Sequence, residues 1–210
     1  MTSSNPGASG TTDHAHSPVP PGSHIADPAP LGLAAFALTT FVLSMVNADI
    51  LDSTTEPVVF GLALAYGGIG QFAAGIWEFA KGNTFGATAF CSYGAFWLSF
   101  WYLASGRTDL SGASANDAGN AVGVYLLAWG IFTLYMTVAA SRVSGAVLAV
   151  FALLTLTFFA LAIGEIAAAD GWTKLGGYLG ILTALAAWYA SFAGVTNFTF
   201  KRTVLPTAPR

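Results

Sequence analysis

Long apolar stretches separated by short polar segments dominate the chain from residue 31 onward. Six of these stretches have about the 20 residues that an α-helix needs to cross the ~30 Å hydrocarbon core of a bilayer. Their approximate bounds are Leu31–Asn47, Val58–Ala80, Thr84–Ser105, Asn120–Ala140, Val143–Ala168 and Leu175–Asn197. Strands of a membrane barrel would instead alternate over about ten residues. The pattern therefore predicts an all-α integral membrane protein, a bundle of six transmembrane helices.

The first thirty residues differ in kind, because they are rich in Ser, Pro, Gly and His and contain few large apolar side chains. We interpret residues 1–30 as a disordered N-terminal tail, residues 31–198 as the transmembrane domain and residues 199–210 as a short C-terminal tail. The tail contains His14, His16 and His24. A disordered segment offers these imidazoles no fixed geometry, so we expect no metal site.

Composition narrows the class of protein and its partners. Hydrophobic residues make up 55% of the 210 residues and charged residues only 8%, which excludes a water-soluble globule. The net charge of −3 and the absence of a basic cluster argue against nucleic acid as a partner. Cys91 is the only cysteine, which excludes an intrachain disulfide and a multi-cysteine metal site. The partners that remain are the lipid bilayer and small solutes.

The seven cations predict the orientation of the spans. Six spans place both termini on one side of the membrane, together with the connections after the second and fourth spans. That side holds Lys81, Arg142, Lys201, Arg202 and Arg210, whereas the opposite loops hold Arg107 and Lys174. By the positive-inside rule, both termini are expected in the cytoplasm, for a multi-pass protein of the inner (plasma) membrane.

The second span carries the most informative polar side chains. Gln71 lies near mid-depth, and Glu78 follows seven residues later on the same helical face. Gln71 can contact a carboxylate or carboxylic acid passing through, or it can hold the bundle together by an interhelical hydrogen bond. For Glu78, an interfacial ion pair with Lys81 is favoured over a proton or substrate site.

The first and third spans carry weaker candidates. Thr39, Thr40 and Asn47 lie on the first span, where bonding back to the helix is the default role for threonine. On the third span, Tyr93 is central enough that its hydroxyl needs a partner. Tyr93 and Trp97 are interpreted equally well as core or as pore-lining aromatics.

The spans contain no catalytic triad, histidine relay, nucleotide loop or haem-binding histidine pair. We therefore expect no enzymatic activity and no cofactor. The residues alone indicate a small-solute transporter or channel, or a structural membrane protein that transports nothing. A channel for an uncharged solute such as ammonia would have the same composition.

A short motif at the start of the first span is more specific. The segment Asp27, Pro28, Ala29, Pro30, Leu31, Gly32, Leu33 resembles the NPAPLGL signature of the acetate uptake transporter family, which includes bacterial succinate-acetate permease and fungal acetate transporters. Prolines suit the first turn of a helix, and Asp27 is expected to cap it. Further similarities are Tyr66–Gln71, Lys81–Gly86, Ser92–Gly94, Trp129–Gly130, Leu161–Gly164 and Arg202–Pro206. The resemblance covers residues 27–206.

The resemblance implies a six-helix protomer in a hexameric ring, with a path in each protomer for acetate and, in some members, succinate or other short carboxylates. It implies a narrow hydrophobic constriction formed by Phe36, Tyr93 and Leu154. The expected substrate pathway contains Thr39, Thr40, Gln71, Trp97, Asn47 and Glu78. An apolar constriction penalises a carboxylate more than the neutral acid, so proton symport and passive channel flow both remain open.

One residue departs from the family signature, because Asp27 stands where the family has Asn. Its charge would lie near a vestibule used by an anion. We therefore hypothesise that Asp27 weakens anion occupancy at that mouth or titrates with the permeating acid.

Overall fold

The computed structural model describes residues 24–209, and most of that range is helical. The predicted tail of residues 1–30, with His14 and His16, thus falls largely outside the described residues. The helices are α1 Ala29–Asn47, α2 Pro57–Leu64, α3 Gln71–Lys81, α4 Thr84–Tyr102, α5 Ala115–Ala140, α6 Gly145–Ile166 and α7 Asp170–Phe200. Since α2 and α3 are joined by a helical segment, these residues form six rods. The prediction of an all-α helical bundle is confirmed.

Five of the rods in the described part of the chain are long and apolar enough to cross a membrane. The sixth, α4, has 19 residues but is less apolar because it carries Ser, Thr, Tyr and Trp. Four of its large side chains are nevertheless buried, namely Phe90, Tyr93, Phe96 and Trp97. Helix α4 therefore lies inside the bundle, where aromatic and hydroxyl groups find protein partners rather than lipid.

A π-helical segment, Ala65–Gly70, joins α2 to α3 without breaking the rod. Gly67 in this segment lies against Thr39 and Trp97, so that a Cβ at this position would stand 2.7 Å from Thr39 Oγ1. The wider turn changes the direction of the side chains that follow, and Gln71 is the first of them. Single π turns inside α-helices often occur at functional sites. The regular second span predicted from the sequence is wrong in this detail.

Helices α3 and α4 pack with their backbones almost in contact. An alanine in place of Gly94 would put its Cβ 2.7 Å from the backbone nitrogen of Phe72, and one in place of Gly75 would put it 2.5 Å from that of Cys91. Only glycine permits this approach, as is common between helices in lipid. The close packing fixes the separation between Gln71 on one helix and Tyr93 on the other.

Both ends of the described chain lie at the same end of the bundle. The hydroxyl of Ser191, late in α7, donates to the carbonyl of Pro30 at the start of α1, at 2.7 Å. After α7, Ala208 accepts a hydrogen bond of 2.8 Å from the backbone of Gly145 at the start of α6. At the opposite end, Lys174 pairs with Asp49 at 2.6 Å. This arrangement is the one expected of six alternating spans.

Candidate functional site

A small internal cavity of about 20 Å³ lies in the middle of the bundle, between α1, α3, α4 and α6. Its lining brings together four residues that the sequence predicted, Phe36, Tyr93, Leu154 and Gln71. The other lining residues are Leu33, Ala89, Phe90, Val150 and Phe151. A cavity of this size has room for about one water molecule. We call Phe36, Tyr93 and Leu154 the waist.

Tyr93 is the centre of an aromatic cluster at the waist. Its ring centroid lies 5.7 Å from that of Phe36, 5.9 Å from that of Phe151 and 5.5 Å from that of Phe132. Trp129 completes the cluster at 6.2 Å. Sequence reasoning missed the last three rings, although the spacing of Trp129 and Phe132 on one face of α5 was an available signal. Apart from Gln71, the cavity is therefore lined by rings and aliphatic groups.

The hydroxyl of Tyr93 has the partner that its central position requires. Its oxygen lies 3.0 Å from Thr133 Oγ1, and Thr133 in turn donates to the backbone carbonyl of Trp129 at 2.7 Å. Thr133 was not among the sequence candidates, because nothing local links two residues that are 40 positions apart. The bond joins α4 to α5 at the level of the waist.

Gln71 lines the cavity with a side chain that is 1% exposed, and its Oε1 has no hydrogen-bond partner among the described residues. An interhelical hydrogen bond through this oxygen is therefore not formed. A buried polar atom without a partner is costly, and it is commonly retained where a ligand or water satisfies it. This geometry favours the pathway interpretation of Gln71 over the purely structural one.

Three other predicted pathway residues are buried but do not line the cavity. Thr39 donates to the carbonyl of Ala35 at 2.9 Å, which is the default structural role. Thr40 Oγ1 and Trp97 Nε1 have no hydrogen-bond partner in the described residues. Trp97 packs edge-on against Phe96 on the same helix. These residues surround the waist rather than forming it.

A second pocket, of about 380 Å³, lies at the end of the bundle opposite the two ends of the described chain. We call it the outer vestibule. It contains the predicted residue Asn47 and two carboxylates that the sequence did not single out, Glu56 and Glu165. The buried rings of Phe96 and Phe158, 5.3 Å apart and edge to face, lie on its inner side. Among residues 24–209, no group of three His, Cys, Asp or Glu side chains could hold a metal ion.

The loop before α2 adds further charge beside this end of the bundle. Asp52 accepts hydrogen bonds from the backbone and the hydroxyl of Thr54, at 2.9 and 2.6 Å. These bonds lower the pKa of the Asp52 carboxyl below its usual value, so that it stays ionised in mildly acidic solution.

Glu78 is placed differently from the prediction. Its side chain is 0% exposed, its Oε2 accepts from Asn83 Nδ2 at 2.9 Å, and its Oε1 has no partner among the described residues. The predicted ion pair with Lys81 is wrong, because Gly82 takes a left-handed conformation that turns the chain back and brings Asn83 against Glu78. Asn83 also caps α4 by accepting from the backbone of Gly86 at 3.1 Å.

Lys81 reaches the start of α1 instead, where it pairs with Asp27 at 2.7 Å. The prediction that Asp27 caps this helix is confirmed in part: Asp27 accepts from the first helical residue, although the residue at the cap position is Pro28, which has no capping side chain. Asp27 Oδ1 lies 3.4 Å from the backbone nitrogen of Ala29, which is a long contact beside the ion pair. The proline pair occupies the first turn as expected.

The rest of the signature motif packs α1 into the bundle. Gly32 lies against the ring of Phe90, so that a Cβ here would stand 2.6 Å from that ring. Leu33 lines the central cavity. The motif therefore sets the depth and angle at which α1 presents Phe36 to the waist.

Comparisons with known proteins agree with this architecture. The profile of the GPR1/FUN34/yaaH family matches residues 9–209. A Saccharomyces cerevisiae protein named ammonia transport outward protein 2 is 47% identical over 178 residues, which cover 82% of this chain and 62% of the relative. The Escherichia coli succinate-acetate/proton symporter SatP is 39% identical over 184 residues, which cover 87% and 95% of the two chains.

The fold has a solved counterpart as well. The structure of the bacterial acetate channel SatP superimposes with a TM-score of 0.81 at 38% identity, and the match covers 88% of this chain and 99% of that one. The chain spans about three fifths of the length of the first yeast relatives that it matches. The resemblance read from the motifs is thus confirmed at the level of family and fold.

Proposed function

Because this multi-pass membrane protein belongs to the GPR1/FUN34/yaaH family, we propose that it transports acetate and related short carboxylates such as succinate. The observation that carries the proposal is the waist, where Phe36, Tyr93 and Leu154 meet Gln71 around one small cavity. Relatives named for the same substrates, as symporter and as channel, support it. No reacting group is needed for this function, in keeping with the expectation that the protein is not an enzyme.

The proposed route runs from the outer vestibule, past Asn47, to the waist and on toward the end of the bundle that holds the termini. At the waist an ion would lose its hydration shell and gain little in return. The neutral acid loses less, so passage of acetate together with a proton is the less costly step. In this proposal the rings set the width of the path and Gln71 supplies the hydrogen bond that replaces water.

Sidedness and assembly belong to the same proposal. The cations Lys81, Arg142, Lys201 and Arg202 lie at the end of the bundle that holds both termini, which the positive-inside rule assigns to the cytoplasm. We propose a hexameric ring, as the family resemblance implies. Exposed apolar side chains on the π-helical segment and α3, among them Ile69, Phe72 and Trp77, provide surface for neighbouring protomers or lipid.

Labelled acetate flux into proteoliposomes of the purified protein tests the proposal. We expect uptake that succinate, lactate and formate inhibit to different extents. An imposed pH gradient that drives accumulation indicates proton coupling, whereas indifference to the gradient indicates channel flow. Flux equal to that of protein-free vesicles contradicts the proposal.

A second candidate is passage of ammonia, favoured by the relative of that name and by the absence of charge around the cavity. It predicts rapid internal alkalinisation on addition of an ammonium salt, with no inhibition by acetate. Acetate flux with no alkalinisation above that of empty vesicles excludes it.

The remaining alternative, a structural protein without transport, predicts that Gln71→Leu and Phe36→Ala change stability alone. Altered flux in stably folded variants excludes that alternative.

A further inference from the structure

The hydrogen atoms around Tyr93 can be assigned by counting. Thr133 Oγ1 lies 2.7 Å from the carbonyl oxygen of Trp129 and 3.0 Å from Tyr93 Oη. A threonine hydroxyl has one hydrogen, and a carbonyl oxygen can only accept. The Thr133 hydrogen therefore goes to Trp129, and the contact with Tyr93 uses a lone pair of Thr133. Tyr93 is then the donor.

The opposite assignment leaves a buried donor unsatisfied. If Thr133 donated to Tyr93, the Tyr93 hydrogen would need another acceptor, and Thr133 is the single hydrogen-bond partner that Tyr93 has among the described residues. The neighbouring rings of Phe36, Phe132, Phe151 and Trp129 offer no acceptor oxygen, and Gln71 Oε1, which lines the same cavity, forms no hydrogen bond with Tyr93. A buried hydroxyl without an acceptor is disfavoured, so the first assignment holds.

This direction of the bond has a consequence for the cavity. The hydrogen of Tyr93 is directed toward α5, and its oxygen retains only acceptor capacity for anything in the waist. Gln71 is the other polar residue of the lining. Its NH₂ group can donate to a carboxylate, and its oxygen can accept from a protonated carboxylic acid. A protonated acid can donate to Tyr93, whereas a carboxylate has no hydrogen to give.

We propose that Thr133 is a positioning residue that directs the Tyr93 hydroxyl away from the permeant, and that the waist thereby favours the neutral acid over the carboxylate. The inference rests on the proposed function for the identity of the permeant. The direction of the hydrogen bond between Tyr93 and Thr133 does not depend on the permeant, because it follows from the number of hydroxyl hydrogens and acceptors.

The groups that could complicate a pH measurement are few. Among the described residues, the lining of the cavity contains no charged side chain. Between pH 5 and 8, the carboxyl group of the permeant is thus the group at the waist that titrates.

Thr133→Val tests the inference, with Thr133→Ser as the conservative control. In wild type and Thr133→Ser, acetate flux should fall about tenfold for each pH unit above the pKa of the acid, following the neutral form. Valine cannot accept, so the Tyr93 hydroxyl turns to the cavity and donates to the carboxylate. The ratio of flux at pH 8 to flux at pH 5 should then rise about tenfold, as expected for one charge-assisted hydrogen bond. Equal pH profiles in wild type and Thr133→Val overturn the inference.

The double variant Thr133→Val/Tyr93→Phe shows whether the effect acts through Tyr93. Without the phenolic hydroxyl, the steep wild-type pH dependence should return, whatever the absolute flux. A profile as flat as that of Thr133→Val alone overturns the inference. If Thr133→Val does not fold, the Tyr93→Phe variant by itself tests the inference. Its acetate flux should fall with rising pH as steeply as that of wild type. A selective loss of flux at high pH in Tyr93→Phe would mean that Tyr93 donates to the anion, which contradicts the proposal.

An infrared measurement separates this inference from the proposed function. The C–O stretching frequency of a phenol differs between a donating and an accepting hydroxyl, and subtraction of the Tyr93→Phe spectrum isolates the Tyr93 band. A shift of that band in Thr133→Val and none in Thr133→Ser supports the assigned direction even if the wild-type protein moves no acetate. An unshifted band in Thr133→Val overturns it, even if acetate transport is demonstrated.

Discussion

Two clusters of polar side chains in the interior of the bundle form their hydrogen bonds in different ways. At the waist, the Tyr93 hydroxyl is bonded to Thr133 on another helix, and most of the surrounding surface is aromatic. At the turn between α3 and α4, the Glu78 carboxylate bonds to Asn83 only five residues away, and Asn83 caps α4. The first cluster is long-range and borders a cavity, whereas the second is local and closes a turn.

The difference indicates that the turn positions helix α4, whereas the waist borders the proposed path of the permeant. The turn determines where α4 begins, and α4 carries Tyr93 into the middle of the bundle. There Tyr93 packs with the other residues of the waist around a cavity of about 20 Å³. Damage to the turn should therefore affect folding first, and damage to the waist should affect selectivity.

Leu154→Ala should give the largest change at the waist. Leu154 is 3% exposed, and its loss enlarges the cavity, which in lipid costs mainly packing energy, about 2 kcal/mol. A wider waist should raise the flux of lactate or succinate relative to acetate about tenfold. Competition assays in proteoliposomes measure this ratio.

The matched control is Leu156→Ala on the same helix, where the side chain is 54% exposed. It should leave both the ratio and the stability near their wild-type values. An identical substrate range in the two variants would contradict the assignment of Leu154 to the waist.

Glu78→Leu should give the next largest effect, and it should be a loss of stability. Removal of the carboxylate leaves the Asn83 amide without its partner and loosens the start of α4, which costs about 1–2 kcal/mol. Glu78→Gln retains an acceptor oxygen and should lose less. Thermal unfolding in detergent compares the two variants with wild type, and equal midpoints for all three would show that the turn does not depend on this bond.

Asp27→Asn should give the smallest effect. The ion pair with Lys81 offsets the charge of Asp27, and the pair is half-exposed, so its loss should cost less than about 1 kcal/mol. For the same reason, we expect the acetate uptake profile across pH to match that of wild type. A profile displaced in Asp27→Asn would restore the hypothesis that this carboxylate acts on the permeating anion.

Much of the fold could be predicted because the length and hydrophobicity of a span are local properties. The second rod was expected at Val58–Ala80 and occupies the range from Pro57 to Lys81, including its π-helical segment. Phe36, Tyr93 and Leu154 came from the family resemblance, and they share a cavity because three different helices present them at one depth. The π segment before Gln71 and the turn at Gly82 escaped prediction, because both depend on how neighbouring helices pack.

The sequence by itself determined that the chain crosses a membrane as helices, where each span lies and that a few polar groups, Gln71 among them, lie within the spans. These follow from the cost of placing backbone and charge in hydrocarbon. Only the tertiary structure decided which of those groups meet: that Lys81 pairs with Asp27 rather than Glu78, and that Tyr93 bonds to Thr133. Such pairings depend on the rotation and separation of whole helices. A hydrogen bond tolerates errors of only a few tenths of an ångström in the donor–acceptor distance. The spacing of residues along one helix does not fix distances between helices to that precision.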